Sequence, residues 1–203
     1  MNLELLIATK NAGKITELKL LLAPDDLPIT LRSLRDFPNV VEPEETGSSF
    51  AENAVLKAKY YALQTKLSAL ADDSGLEVSA LGGAPGVFSA RYAGENATDA
   101  EKIEKLLNEL KKIPDESRAA RFVCAMAIAD EKGEIKYLTE GVCSGKISVK
   151  PSGKNGFGYD PVFIPEGFHE TFGELSNEIK QQISHRARAT EKIIAYLRGF
   201  TAT

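Results

Sequence analysis

Two adjacent aspartates, Asp72 and Asp73, are the residues whose type and position in this sequence most favour chemistry. They directly follow the apolar stretch Leu67–Ala71, which is predicted to be a strand, and Ser74-Gly75 after them predicts a turn. Carboxylates at the end of a buried strand are costly unless a cation or hydrogen-bond donors satisfy them. The pattern therefore favours a metal site, with solvated carboxylates in an ordinary Asx-type turn as the alternative.

Other carboxylates could complete such a site. Glu42, Glu44 and Glu45 could supply oxygen ligands to a hard cation, or they could form a solvated acidic loop. A zinc site is not expected, because the chain has only two histidines and lacks paired-histidine spacing. Cys124 and Cys143 lie in apolar or strand-like stretches, so we expect buried thiols rather than a disulfide.

The segment Thr9–Lys14 is a candidate anion site. It joins a predicted strand, Leu3–Ala8, to a predicted helix, whose N-terminus would offer N–H groups and the positive end of its dipole. Lys14 adds a full charge. The segment is not a P-loop, because Ala8 and Ile15 stand where that motif requires glycine and a hydroxyl residue. An ordinary polar cap with a solvated lysine is the alternative.

Two segments near the C-terminus could recognise a ligand by shape and hydrogen bonding. Gly156–Pro161 could form a flat slot in which Phe157 stacks on a heterocycle, or a tight turn that buries Phe157. His185 and Arg186 offer donors suited to a carbonyl or phosphate oxygen, or they belong to a solvated basic surface.

The elements that must position these residues alternate between helix and strand, which predicts a mixed α/β sheet covered by helices. Capping boxes, Ser49-x-x-Glu52 and Thr98-x-x-Glu101, mark two helix starts. The later elements are helices from Ser49 to about Lys66, from Thr98 to about Leu110 and from about Leu175 to Gly199 with a break near Ser184, and a hairpin of Arg121–Asp130 and Ile135–Glu140.

Composition excludes several classes of protein. The chain has 203 residues, 43% hydrophobic and 27% charged, which suits a globular protein with a sizeable core. Its net charge of -4 provides no global basic field for nucleic acid. No apolar run approaches the length of a membrane span, and Met1–Ala8 lacks the basic region of a signal peptide. We expect a cytoplasmic protein without nucleic-acid or membrane partners.

Eight short strings, in order from residue 8 to residue 186, resemble the inosine triphosphate pyrophosphatase family. Each string is weak alone, but chance agreement of eight in order is very improbable. They are Ala8-Thr9-x-Asn11-x-x-Lys14, Glu44-Glu45-Thr46-Gly47, Phe50-x-Glu52-Asn53-Ala54, Ala71-Asp72-Asp73-Ser74-Gly75-Leu76, Gly82-Gly83-Ala84-Pro85-Gly86, Ser89-Ala90-Arg91-Tyr92, Phe157-Gly158-Tyr159-Asp160-Pro161 and Ser184-His185-Arg186. Lys10 departs from the family, in which a glycine or small residue is common at that position.

The resemblance implies one domain over residues 1–203, with an elongated mixed β-sheet in two lobes, an active cleft between them, and a homodimer. It implies Mg²⁺-dependent hydrolysis of ITP, dITP and XTP to the nucleoside monophosphate and pyrophosphate, which removes these non-standard nucleotides from the pool. A pyrophosphatase of the septum-formation-protein type, acting on modified pyrimidine or methylated guanine triphosphates, is the alternative enzyme. A nucleotide-binding module without activity is the alternative outside enzymes.

The resemblance also implies roles for individual residues. Asp73 would be the catalytic base and a metal ligand, with Glu44 as the second ligand and Glu45 as the alternative to Glu44. Asp72 would support its neighbour. The residues implied to bind the substrate are Thr9, Lys10, Asn11, Ala12, Gly13, Lys14, Ser74, Phe157, Gly158, Tyr159, Asp160, Lys180, His185 and Arg186.

A free aspartate, with a pKa of about 3.9, is a poor base. Either neighbouring carboxylates raise the pKa of Asp73 or a metal acidifies the attacking water, and we expect the metal to be the main effect. Donors from His185 and Arg186 would pair with the O6 acceptor of hypoxanthine or xanthine, whereas the amino group of adenine would leave them unpaired.

Overall fold

The computed structural model describes residues 3–22, 27 and 29–201, with side chains described up to residue 199. The strands and helices that the sequence predicts are present, and the structure adds two strands that were not predicted, Ile29–Ser33 and Phe163–Pro165. The strands are β1 (Leu3–Ile7), β2 (Ile29–Ser33), β3 (Ser68–Val78), β4 (Ala119–Ala129), β5 (Ile135–Ile147) and β6 (Phe163–Pro165). The helices are α1 (Ala12–Leu21), α2 (Phe50–Thr65), α3 (Asp99–Glu109), α4 (Asn177–Ile183) and α5 (His185–Thr201).

The strands form one mixed six-stranded sheet in the order β2-β1-β3-β4-β5-β6. β1 pairs in parallel with β2, where Leu5 lies opposite Leu31, and in parallel with β3, where Leu6 lies opposite Ala69. β5 and β6 pair antiparallel. Leu5, Leu6 and Ile7 are fully buried, which is the continuous apolar run expected of an interior parallel strand. The predicted mixed α/β fold is confirmed.

The chain divides into two compact units, in agreement with the two predicted lobes. Unit 1 comprises Met1–Asp73, Cys124–Gly141 and Arg186–Thr203, and unit 2 comprises Ser74–Val123 and Val142–His185. Each unit has its own hydrophobic core, built around Leu5, Leu18, Met126 and Ile193 in unit 1 and around Leu76, Leu106, Phe163 and Phe172 in unit 2. The cleft between lobes stays a prediction.

The segment Asp72–Gly75 is not a turn, so the prediction of an acidic turn is wrong. β3 runs from Ser68 to Val78, and the predicted strand Leu67–Ala71 is only its first part. Successive side chains of a strand point to opposite faces of the sheet, so Asp72 and Asp73 face different surroundings. The strand continues through this polar sequence because both carboxylates find cationic partners in the folded chain.

The helix ends follow the predicted capping chemistry with one difference. Both hydrogen bonds of the Thr98–Glu101 capping box are present. At α2, the Ser49 hydroxyl accepts from the Glu52 N–H at 3.2 Å, as predicted, but the Glu52 carboxylate accepts from Ser48. The predicted helix start at Ser49 is confirmed, and Ser48 is a further donor to the Glu52 carboxylate.

The remaining predictions about secondary structure and cysteines are confirmed. β4 and β5 are joined by a turn in which the Gly133 N–H donates to the Asp130 carbonyl at 2.8 Å. Ser184 separates α4 from α5. Cys124 and Cys143 are buried free thiols. Across the described part of the chain, no helix is long and apolar enough to cross a membrane.

Candidate active site

The loop between β1 and α1 is shaped by its own polar side chains. Asn11 caps α1, because its Oδ1 accepts from the Lys14 N–H at 3.0 Å, and the Asn11 N–H donates to Oγ1 of Thr9 at 3.2 Å. Ala12 and Gly13 form the first turn of α1, at the positive end of the helix dipole. The predicted polar cap and the predicted anion site are thus compatible uses of one segment.

Asp72 lies at the centre of a buried cationic cluster in unit 1. Its Oδ2 lies 2.9 Å from Nζ of Lys14 and 3.3 Å from Nη2 of Arg186, and the Cys124 thiol contacts the same oxygen at 3.9 Å. Arg186 also forms an ion pair with Glu17 of α1. Burial alone would raise the pKa of Asp72, but the charges of Lys14 and Arg186 outweigh it and hold that pKa well below its usual range. Asp72 is therefore ionised at neutral pH and anchors both cations.

Asp73, on the other face of β3, has a different environment. Its Oδ1 accepts from Nζ of Lys57 at 3.0 Å, and its Oδ2 accepts from Nδ2 of Asn53 at 3.2 Å. Lys57 would lower the pKa of this carboxylate, but burial is the larger effect and raises it above the ordinary value. Asp73 therefore has greater proton affinity than its neighbour, which is the property that a general base requires.

Asn53 and Lys57 are functional candidates to which the sequence prediction gave no role. They occupy positions i and i+4 on the buried face of α2, so both side chains reach the same region. Oδ1 of Asn53 accepts from the Gly47 N–H at 2.8 Å, and a Cβ atom at Gly47 would lie 2.6 Å from that oxygen. Asn53 thus links the loop before α2 to Asp73, and only glycine fits at residue 47.

Two carboxylates converge on the Lys57 ammonium. Nζ of Lys57 lies 2.7 Å from Oε1 of Glu45 and 3.0 Å from Oδ1 of Asp73, whereas Glu44 is exposed. Burial would lower the pKa of Lys57, but the carboxylates around it outweigh burial and raise it, so the lysine stays protonated. Among the described residues, no group of three or more histidine, cysteine, aspartate or glutamate side chains forms a metal site by itself.

The Gly156–Pro161 loop of unit 2 is built around a buried ion pair. The Asp160 carboxylate accepts from the Phe157 N–H at 2.8 Å and pairs with Nζ of Lys180. That ammonium lies 4.8 Å from the centroid of the Phe157 ring, within cation–π range. Gly156 has a φ of 74°, and a Cβ atom there would lie 1.9 Å from Oδ2 of Asp160, so the loop requires glycine.

The other aromatic groups of unit 2 have structural partners. The Tyr159 hydroxyl is buried and donates to the Ser89 carbonyl at 3.0 Å. The His185 ring stacks on Phe122, with centroids 4.7 Å apart and planes within 11°. A cavity of about 570 Å³ is lined by Phe157, Gly158 and residues of α3, and the Gly158 N–H donates to Asp99 at its edge. Phe157 is partly exposed, and its stacking on a ligand stays a prediction.

The predicted site residues thus fall into two groups, one in each unit. In unit 1 they form two clusters. Thr9–Lys14 and Arg186 belong to the first, in which Lys14 and Arg186 pair with Asp72. Glu45 and Asp73 belong to the second, in which both pair with Lys57, and Glu44 is exposed. The unit 2 group consists of Ser74, Phe157, Gly158, Tyr159, Asp160, Lys180 and His185. The substrate and metal roles implied for these residues stay predictions.

Comparison with known proteins bears on both groups. Residues 5–196 match the model of the Ham1 family. A dITP/XTP pyrophosphatase from Geobacillus kaustophilus is 52% identical over 190 residues, which cover 94% of this chain and 92% of the relative. The solved structure of a HAM1 protein from Coxiella burnetii superposes with a TM-score of 0.88 at 45% identity, over 97% of this chain and 99% of that one. The Staphylococcus aureus Ham1 protein superposes with a TM-score of 0.85 at 43% identity, over 97% and 98% of the two chains.

Proposed function

This chain belongs to the Ham1 family, and we propose that it hydrolyses dITP, ITP and XTP to the nucleoside monophosphate and pyrophosphate. The names of its relatives support dITP and XTP as substrates, and the family resemblance supports ITP. The single observation that carries the chemistry is the environment of Asp73, a buried carboxylate of raised pKa held by Asn53 and Lys57.

The charges of unit 1 favour a divalent cation as cofactor. In the ion pairs named above, three cationic side chains pair with four carboxylates, so these pairs by themselves provide no surplus of positive charge for a triphosphate. The cations are Lys14, Lys57 and Arg186, and the carboxylates are Glu17, Glu45, Asp72 and Asp73. A helix N-terminus contributes only about 0.3 to 2 kcal/mol toward an anion, which cannot offset the charge of a triphosphate.

The donor set fits Mg²⁺, which prefers oxygen ligands and binds through one or two carboxylates together with phosphates and water. Glu45 and Asp73 already converge on one cationic centre, the Lys57 ammonium, so we propose these two as ligands with the exposed Glu44 as the alternative. When bound, Mg²⁺ would neutralise phosphate charge and make a bound water more acidic.

Residues of the chain itself would bind the phosphates, accept the proton and recognise the base. Lys14, held by Asp72, would contact phosphate oxygens beside the N–H groups of the first turn of α1. Asp73 would take a proton from the water that attacks the α-phosphorus, and Asn53 would hold that carboxylate in place. In unit 2, Phe157 would stack on the purine. His185 and Arg186 would supply donors for O6.

Pyrophosphate release from dITP, ITP, XTP, GTP and ATP, with and without Mg²⁺, tests the proposal. We expect Mg²⁺-dependent release, with the first three preferred over GTP and ATP by kcat/KM. Hydrolysis in ¹⁸O-water should place the label on the monophosphate. Release of inorganic phosphate, or a preference for modified pyrimidine or methylated guanine triphosphates, would contradict the proposal.

We also propose a cytoplasmic homodimer, on the strength of the family resemblance alone. Light scattering during size-exclusion chromatography should give twice the 22.0 kDa mass of one chain. A monomer at all accessible concentrations would contradict this part of the proposal.

A further inference from the structure

The loop of residues 42–47, here called the acidic loop, is tied to the rest of unit 1 by two ion pairs of unequal strength. Glu45 pairs with the buried Lys57 at 2.7 Å. Glu42 pairs with Lys10 at 3.8 Å, and these two side chains are 54% and 51% exposed. An exposed pair at this distance contributes little to stability and is easily exchanged. The end of the loop at Glu42 is therefore held only weakly in the free protein.

Tyr61 is a buried donor close to this loop. It follows Lys57 by one turn of α2 on the same buried face, and only 1% of the residue is exposed. Its hydroxyl has no hydrogen-bond partner among the described residues. Burial, followed by the negative charge of Glu42, raises the pKa of Tyr61 to about 12, so the hydroxyl keeps its proton at neutral pH. A buried hydroxyl without a partner is unfavourable, and proteins rarely retain one without use.

We propose that Glu42 exchanges partners when the triphosphate binds, so that Lys10 moves to the phosphates and the Tyr61 hydroxyl donates to the released Glu42 carboxylate. This inference rests on the proposed function only in taking a nucleoside triphosphate as the ligand. Lys10 becomes a substrate-binding residue, and Tyr61 becomes a positioning residue that acts through Glu42.

Electrostatics favours such an exchange over simple release. Lys10 precedes the α1 cap Asn11, so a triphosphate at that helix N-terminus would offer the lysine several negative charges in place of one. Glu42, once released, would repel the same phosphates unless a donor held it. The Tyr61 hydroxyl lies on α2, the helix that already holds the other end of the loop through Lys57. This exchange would thus give the buried Tyr61 hydroxyl a hydrogen-bond partner and keep the Glu42 carboxylate away from the substrate.

Tyr61→Phe tests this inference, with Tyr60→Phe on the same helix as the matched control. The dissociation constant of a non-hydrolysable dITP analogue is measured by calorimetry, together with kcat and KM for dITP and the Tm of the free protein. In Tyr61→Phe we expect binding to weaken and KM to rise by about tenfold to a hundredfold, the equivalent of one hydrogen bond to a charged group, with kcat little changed. The Tm should stay the same or rise, and Tyr60→Phe should match the wild type. Wild-type affinity in Tyr61→Phe would overturn the inference.

A double-mutant cycle identifies the partner. In a Glu42→Ala background, Tyr61→Phe should cause no further loss of affinity, whereas independent, additive losses would overturn the proposed contact. Lys10→Met should weaken binding of the triphosphate analogue more than that of the monophosphate, and an equal effect on both would remove Lys10 from the exchange. Because these readouts measure binding, they are independent of turnover. Absence of pyrophosphate release by the wild type would contradict the proposed function alone.

Discussion

The two faces of β3 give the same side chain two different environments. On one face Asp72 meets Lys14 and Arg186, and their charges lower its pKa despite complete burial. On the other face Asp73 meets one lysine and one amide, and burial raises its pKa. Two adjacent aspartates are therefore suited to different tasks.

This difference shows how a strand can separate anchoring from chemistry. Because side chains alternate across the sheet, one residue can hold Lys14 while the next faces the Glu45–Lys57 pair. An anchor must stay ionised in order to hold its cations, whereas a base must be able to accept a proton. Exchanging either aspartate for asparagine should reveal which task it performs.

Asp73→Asn should have the largest effect on activity. An amide cannot accept the proton from water, so we expect kcat for dITP to fall by about a thousandfold, within the range of general-base catalysis. Binding of a non-hydrolysable dITP analogue should remain measurable by calorimetry, because Lys14 and the first turn of α1 are untouched. A variant that retains a tenth or more of wild-type turnover would exclude Asp73 as the base.

Asp72→Asn should mainly affect stability. Its loss leaves Lys14 and Arg186 without their shared carboxylate, and Arg186 is among the most deeply buried large side chains. Removing one partner of a buried ion pair costs about 3 to 5 kcal/mol, which urea denaturation would measure. The loss of kcat should be smaller than in Asp73→Asn. If Asp72→Asn lowered kcat as strongly as Asp73→Asn is expected to and left the free energy of unfolding unchanged, the division between anchor and base would be reversed.

The pH dependence of stability provides a second check on Asp72. A carboxylate whose pKa is lowered by folding contributes stability that is present above its unfolded pKa, about 3.9, and is lost as the pH falls through the folded value. The stability difference between wild type and Asp72→Asn should therefore be constant from pH 7 to about pH 5 and shrink below pH 4. A difference that persisted unchanged at pH 3 would assign the effect to packing instead of charge.

The sequence predicts most elements of the fold because caps, turns and apolar periodicity act locally. It fails at β3, where Ser74-Gly75 after two aspartates has the local chemistry of a turn. A partner of Asp72 in the folded chain, Arg186, lies 114 residues away in the sequence. Tertiary ion pairing thus overrides the local preference of this segment.

The candidate site is predicted in part for the same reason. Thr9–Lys14 and Asp73 stand out by local pattern, whereas the roles of Asn53 and Lys57 depend on contacts across 20 and 16 residues. A signal was available, since two polar residues four apart interrupt a helix face otherwise rich in alanine. Glu45 pairs with Lys57, and no sequence pattern shows which of Glu44 and Glu45 does so; which of the two would bind a metal stays a prediction.

Asn53→Ala should lower activity by less than Asp73→Asn does, because it removes a group that contacts Asp73 and leaves the carboxylate in place. It removes the donor to Asp73 and the acceptor for the Gly47 N–H, so the carboxylate and the acidic loop both lose a constraint. We expect kcat/KM to fall by about tenfold and stability by about 1 to 3 kcal/mol, the cost of leaving a buried polar group unpaired. Gln64→Ala, at an exposed position of α2, is the control and should match the wild type. Equal activity in the two variants would show that the hydrogen bond from Asn53 does not contribute to the function of Asp73.

The smallest expected effect is a change in the reactivity of Cys124, which would show where Asp72→Asn disturbs the structure. Burial, followed by the negative charge of Asp72, raises the pKa of the Cys124 thiol to about 12, so native protein at pH 8 should resist iodoacetamide until it is unfolded. Cys124 contacts Asp72, whereas Cys143 belongs to the core of unit 2. In Asp72→Asn, alkylation followed by peptide mass spectrometry should therefore show faster modification of Cys124 than of Cys143. Equal acceleration at both thiols would mean that the substitution loosens the whole protein. The two faces of β3 would then differ in the charges around their aspartates but not in local stability.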